Sequence, residues 1–596
     1  MSDTLVIANC SGFLGDRLSA AREMVEGGEI DVLTGDYLAE LTMALLFRMK
    51  TKSPDKGYAV PFLKQMEEVM GTCLDRGIKI VANAGGINTL GLVRELEDLG
   101  KILGLSPRVA AVTGDDLMPA LGDLQAGGEP FTHLETGEEL GQATGEIITA
   151  NAYLGGWGIA LALGAGADIV VGGRMADAAL VAGPCAWKFK WQRDDWDCLA
   201  GAYAAGHIIE CGTQATGGNY AFIDEVPSYK NMGFPMAEMH ADGSFVITKH
   251  PGTGGLVSTG TVTAQLLYEI GPQVYQTPDV GVRLDTLELE DQGSDRVRVT
   301  GARGVPPTDT AKVCINTLWG YQNTMTVVLT GLDIGKKAAI VEESLFERLG
   351  GRDQFARAHV QLIRSDREQT DENNQAFAHL RITVMDPDPG KVGKVFSGGV
   401  VEMMLASVPG FITTTPPGNA SPAIRHWPAL VGKDKLLERV HVDGQVHEIA
   451  PVIPSGQTQA DVLAGLAEVG PGNGAGNGET ASGSVCEIPL GRVFAARSGD
   501  KGGNANLGVW ARDDAGYAFL EGYLSEDRLK TLLPDLASYQ VRRYCLPNLK
   551  ALNFVVHGLL GYGVAASVRT DPQGKTLGEY LRARPITVPA SLVDNT

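Results

Sequence analysis

"TLVIANCSGFLGDRLSAAREMVEGGEIDVLTGD", residues 4 to 36, decides the fold. A β-branched apolar run leads into a glycine and aspartate turn. An amphipathic stretch ending in glycine follows, and then a second apolar run. Strand, helix, strand in that order is a βαβ unit, whose two strands lie parallel. The same phrase recurs through the first 180 residues, with further apolar runs at IKIVANAGG (78–86), RVAAVTGDD (108–116) and ADIVVGGR (167–174). Helix-like segments such as TLGLVRELEDLGKILG lie between them. Five such runs predict an α/β fold: an open, mostly parallel sheet with helices on both faces.

Outward from that unit the texture changes. From about 206 to 455, short alternating runs (GSFVITKH, RVRVTGAR, LRITVMD) sit among glycine and proline turns, which reads as a second lobe of α+β character. Residues 1–455 are therefore taken as one region, an α/β lobe to about 205 and an α+β lobe after it. Residues 456–484, ending EVGPGNGAGNGETASGS, read as a flexible glycine-rich linker. Residues 485–596 have the length of a small ferredoxin-like α+β domain.

The chain has 596 residues and a formal net charge of -21, which opposes nucleic acid and anionic membranes as partners. A small anion remains compatible if a local patch receives it. The opening MSDTLVIANCSG has no basic leader and reads as a first strand. The 8 cysteines are scattered without a C-x-x-C pair, so reduced thiols and a cytoplasmic location are expected. The longest apolar stretches are broken by glycine and aspartate and do not read as membrane spans.

In open parallel sheets, ligands gather beyond the carboxyl ends of the strands. Those ends carry Asn9, Asp16, Arg17, Asp36, Asn83, Asn88, Asp115, Asp116, Arg174 and Asp177. Asp16, Asp36, Asp115 and Asp116 are the candidate catalytic carboxylates, acting as general acid and base or holding a divalent cation through oxygen. Arg17 and Arg174 are candidates for gripping a substrate carboxylate, with Asn83, Asn88 and Asp177 beside them. The segment HPGTGGLVSTGTVTAQLLYEIG (250–271) runs a glycine loop into a helix, and Gly254, Gly255, Ser258 and Thr259 there are expected to offer N–H groups to an oxyanion. The loop RSGDKGGN sets Arg497, Lys501, Gly502, Gly503 and Asn504 together as a phosphate cradle or an interdomain contact. Cys211, beside His207 and Glu210, reads as a small buried cysteine in preference to a nucleophile. No G-x-G-x-x-G, Walker A, G-x-S-x-G or H-E-x-x-H pattern occurs.

Taken together, CSGFLGDR, VANAGGINTLG, VAAVTGDDL, GGRMADAALVAGP, GHIIECGTQATGGNY, HPGTGGLVSTGTVTAQLLYEIG and YQTPDV resemble the acyclic terpene utilisation (AtuA) family. IPLGRVFAARSGDKGGNANLGVWAR resembles the ferredoxin-fold domain attached to it. The first-strand loop departs modestly, with Cys10 and Phe13 where the family often has glycine or alanine. The resemblance implies a role in breaking down branched acyclic terpenoids through acyl-CoA intermediates, alongside acyl-CoA carboxylases. It transfers no catalytic residue. The expectation is a homo-oligomeric enzyme acting on a branched-chain acyl-CoA or a derived carboxylated acid by lyase or hydratase chemistry. The rival expectation is a non-catalytic subunit that binds or assembles an acyl-CoA carboxylase.

Overall fold

The computed structural model describes residues 4–453 and 484–593, so the expected linker lies outside the described residues except for Ser484. All five N-terminal apolar runs become strands of one sheet. Thr4–Asn9, Val32–Gly35, Lys79–Ala82, Ile169–Gly172 and Val109–Thr113 lie side by side in that order and are parallel throughout. Alternate side chains of each strand feed opposite faces. Leu5, Ile7, Val32 and Val81 pack under the helices Trp157–Gly164, Ala179–Phe189 and Trp196–Ile209. Ala8, Leu33, Ile80 and Ala82 pack under Ala20–Gly27, Val60–Arg76 and Thr89–Leu103. Burial on both faces is why these strands read as continuous apolar runs.

The sheet does not stop at residue 205. Pro235–His240, Phe245–Lys249, Val297–Thr300 and Glu288–Asp291 extend it antiparallel beyond the first strand. Glu438–Val442 and Gln445–Ile449 extend it beyond Val109–Thr113, giving 11 strands in all. A second sheet is organised on one 21-residue strand, Thr310–Thr330. Its neighbours include Ser421–Gly432, Glu146–Ala152 and Phe377–Asp386. The first lobe thus lends a strand to the second sheet, and the second lobe lends six to the first.

In the C-terminal portion, Ala495–Lys501, Asn504–Trp510, Ala551–Val556 and Val541–Leu546 form a four-stranded antiparallel sheet covered by the helices Asp514–Tyr523, Glu526–Leu532 and Leu577–Arg582. Leu507, Val509, Leu552, Phe554 and Leu529 are fully buried in its own core. Among the described residues no helix is long and apolar enough to cross a membrane.

Candidate functional site

The carboxyl ends of the parallel strands open onto a cavity of about 1870 Å³, whose other walls are the second sheet and the C-terminal domain. Each wall places its polar groups through identifiable local structure. After the first strand, Asn9 donates from Nδ2 to the carbonyls of Ile209 (2.5 Å) and Glu210 (3.1 Å), which draws the end of a buried helix to the sheet mouth. After the second, Asp36 accepts from Asn83 Nδ2 at 2.5 Å and from the Leu38 N–H at 3.1 Å. After the Ile169–Gly172 strand, Arg174 donates to Asp177 Oδ1 at 2.5 Å and to the Leu38 carbonyl at 3.0 Å, with its guanidinium 4.3 Å above the Tyr153 ring.

Burial and the neighbouring charges move the acids of this setting in opposite directions. Burial raises Asp36, and the neighbouring Asp177 carboxylate raises it further. Burial likewise raises Asp177 against the opposing pull of Arg174. Glu210 is pushed well up by burial and by Asp177 and Glu269. Glu40, the first residue of the helix Glu40–Lys52, goes the other way. Burial opposes its charge, but the Lys312 and Arg174 cations together hold it well below the usual carboxylate range. Its Oε1 accepts from the Tyr153 hydroxyl at 2.7 Å and faces Lys312 Nζ at 3.4 Å. Burial also lowers His207 and His426 to about 4, so both imidazoles are neutral near pH 7. His207 Nδ1 lies 3.1 Å from Glu210 Oε1.

The C-terminal domain closes the cavity by docking its sheet on residues 267–271. Asn506, fully buried, donates to the Leu267 carbonyl at 2.9 Å and accepts from the Glu269 N–H at 2.8 Å. Asn553 donates to the Gly271 carbonyl at 2.7 Å. The approach is close enough that a side chain at 499 or 508 would collide: a Cβ on Gly499 would lie 2.4 Å from the Tyr268 ring, and one on Gly508 2.6 Å from Leu267. Glu269 itself has φ of 55°, a left-handed conformation that favours glycine and costs a larger residue about 1–3 kcal/mol. The Asn506 contact holds it there.

The two-residue turn Gly502–Gly503 then carries Asp500 and Lys501 into the cavity. Burial, with the Glu269 and Glu40 carboxyls, pushes Asp500 up to about 8. Burial and the Lys312 ammonium bring Lys501 down to about 8.

Of the residues expected from the sequence, Asp16, Asp36, Arg174, Asp177, Lys501, Gly502 and Asn504 line this cavity. Asp16 turns back on its own loop, accepting from the Gly12 and Arg17 N–H groups. Asn83 stands behind Asp36. Asp115 is buried behind the wall, accepting from the Arg174 N–H at 2.8 Å and from Asn151 at 2.9 Å, so it fixes the Arg174 backbone.

The remaining expected residues lie outside the cavity, for three reasons. Some charges already have partners: Arg17 pairs with Glu23 at 2.7 Å and donates to the Met232 carbonyl. Some side chains are caps. Asn88 accepts from Gly91 at a helix start, and Asp116 accepts from the Met118 N–H in an exposed turn. In the 252–260 loop, the N–H groups of Gly254, Gly255, Leu256, Val257 and Ser258 all reach acceptors within the protein. Ser258 forms a capping box with Thr261, and Thr259 begins that helix. The N–H groups of Gly254, Gly255 and Ser258, expected to meet an oxyanion, thus serve the loop itself.

The phosphate cradle is also occupied from within. Arg497 donates to Gln214 Oε1 and stacks 4.3 Å from the Tyr268 ring. Gly503 donates to both carboxylate oxygens of Glu135 at 3.0 and 3.2 Å, and Asn504 accepts from the Gly558 N–H.

Glu40, Glu269, Lys312 and His426 went unread in the sequence. Lys312 sits in the strand TAKVCINTLWG and Glu269 in LLYEIG, each a lone charge inside an apolar run. That pattern was the available signal. Cys211 beside them has its thiol pushed well up by burial and by Glu210, so it is not a thiolate near pH 7. Among the described residues no group of three His, Cys, Asp or Glu side chains is placed to hold a metal ion. The arrangement is suited to proton transfer, with carboxyls shifted down and carboxyls shifted up facing one chamber.

Two family models match the chain. Acyclic terpene utilisation family protein AtuA matches residues 5–442, and the AtuA ferredoxin-like domain matches 488–587. No curated protein matches it.

Proposed function

The chain belongs to the acyclic terpene utilisation family, and from that premise we propose that it is an enzyme acting on a branched-chain, isoprenoid acyl-CoA or a derived carboxylated acid by lyase or hydratase chemistry. The observation that carries this reading is the pairing, in one cavity, of Glu40, whose carboxyl the neighbouring Lys312 and Arg174 cations lower, with carboxyls at Asp36 and Glu210 that burial raises. Hydration of an enoyl thioester needs a base to take a proton from water and an acid to protonate the α carbon. Cleavage of a β-hydroxy acid needs a base for the hydroxyl proton and an acid for the departing enolate. Glu40 is the base in either case, and Asp36 or Glu210 the acid. Lys312 and Arg174 offset the negative charge that builds on the carbonyl oxygen.

The thioester's phosphates fit the C-terminal wall. Lys530, Arg542 and Lys575 line it and form no ion pair among the described residues. We place the phosphates here in preference to the 497–504 loop because Arg497 and the Gly503 N–H already have acceptors within the protein.

The test is thermal unfolding with and without 3-methylcrotonyl-CoA, followed by mass spectrometry of the incubated ester. Ligand at 100 times its dissociation constant adds about 2.7 kcal/mol of stability, and a hydrated or cleaved product is expected. A stabilised protein that returns the ester unchanged, together with a co-purifying carboxylase, favours the binding or assembly reading. One observation supports that rival: Leu332 and Ile412 are 82% and 51% exposed at the end of the long strand.

A further inference from the structure

Lys501 ends the strand Ala495–Lys501, still paired with Asn504 across the Gly502–Gly503 turn, and lines a cavity built mostly by other parts of the chain. Its Nζ donates to the Glu269 carbonyl at 2.6 Å, and among the described residues it forms no ion pair. The groups facing it are Lys312 from the long strand, Glu40 from its helix, Glu210 and His207 from the end of Trp196–Ile209, and Glu269. The Tyr275 ring lies 5.9 Å away. A lysine placed only to balance charge would contact a carboxylate. This one contacts a backbone carbonyl and lies in the field of a second ammonium.

We propose that Lys501 is an amine nucleophile that forms an imine with a ketone or aldehyde held in the cavity. Nζ adds to the carbonyl carbon, the carbonyl π electrons move to oxygen, and a proton passes from the nitrogen to that oxygen to give a carbinolamine. A proton from the Glu269 or Asp500 carboxyl goes to the hydroxyl, which leaves as water while the nitrogen lone pair closes the C=N bond. Water later reverses each step and returns the proton. Two features favour the neutral amine this requires, desolvation and the neighbouring cation, the combination that activates amine nucleophiles generally. With Lys501 near 8, its neutral fraction at pH 7.5 exceeds that of an ordinary lysine roughly a hundredfold. The inference goes beyond the acid–base reading, because a thioester carbonyl is not the electrophile. A keto product released by cleavage is.

The experiment treats the full chain at pH 7.5 with acetoacetate, adds sodium borohydride to reduce any imine to a secondary amine, and maps the adduct by peptide mass spectrometry. Lys501 is expected to be labelled at least about tenfold faster than the exposed lysines, and Lys501→Arg to lose that label. Lys312→Gln, which leaves the hairpin intact, is expected to move the pH of half-maximal labelling upward, toward the ordinary lysine value. Equal labelling of Lys501 and exposed lysines overturns the proposal, as does an unshifted profile in Lys312→Gln. The thermal shift with 3-methylcrotonyl-CoA reads the acid–base proposal separately, so either can fail while the other stands.

Discussion

Two glycine-rich loops, 252–260 and 499–503, look alike as strings and do opposite things. In the first, five consecutive N–H groups from Gly254 to Ser258 bond to the protein itself, and the loop lies outside the cavity lining. In the second, glycine lets the strand lie against Tyr268 and then turns the chain so that Asp500 and Lys501 enter the chamber. Glycine in a loop records that backbone must come close or turn sharply. What it comes close to, a ligand or another piece of chain, depends on whether the donors are already spent.

The contrast can be broken by variants on either side, and the largest effect is expected at the interdomain dock. Asn506→Ala strands the Leu267 carbonyl, the Glu269 N–H and Asn553 in a dry interface, a loss of about 3 kcal/mol. It should lower the denaturant midpoint and abolish labelling of Lys501. Gly499→Ala drives a methyl into the Tyr268 ring, costing about 2 kcal/mol by overpacking. The same two measurements read it, and normal labelling would show that the close approach is dispensable. Ser258→Ala removes a helix cap in the other loop for about 1 kcal/mol. Labelling should be unchanged there, and its loss would mean that the 252–260 loop serves the cavity after all.

The smallest and most specific effect is a trend with pH. Asp500 has an ordinary value of 3.8 unfolded and about 8 folded, so the folded chain binds more protons between those values and its stability falls as pH rises through them. Asp500→Asn cannot lose that proton. Its melting temperature should gain on the parent's progressively from pH 4 to pH 8. A constant difference across the range would place Asp500 in water.

The parallel core was legible because burial on both faces leaves a mark in one strand at a time. TLVIAN, DVLTG and DIVVGG needed no knowledge of their neighbours. The antiparallel flanks were not, since the alternation of Phe245–Lys249 or Glu438–Val442 records a half-buried face and not which strand it pairs with. The site divides similarly. Asp36, Arg174 and Asp177 were readable from position alone, at the ends of parallel strands. Arg17, Asn88 and Asp116 share that position but are taken up by a salt bridge and by caps, which no strand-end rule separates from ligand groups. Glu40 begins a helix, where an acid is favoured by the dipole whatever lies outside. Lys312 and Glu269 owe their surroundings to chain hundreds of residues away in sequence, and only tertiary contact brings them to Lys501.

The Gly503 amide is held by Glu135, a resident anion that cannot diffuse away. A visiting phosphate must therefore outcompete a tethered rival, present at an effective concentration on the order of millimolar. Acid tilts that contest. Burial puts the Glu135 carboxyl near 6, so below that pH the rival takes up a proton and surrenders its charge. The turn then becomes receptive to outside anions in the same interval in which its clasp on the rest of the chain slackens, making anion capture and closure antagonists governed by a single proton.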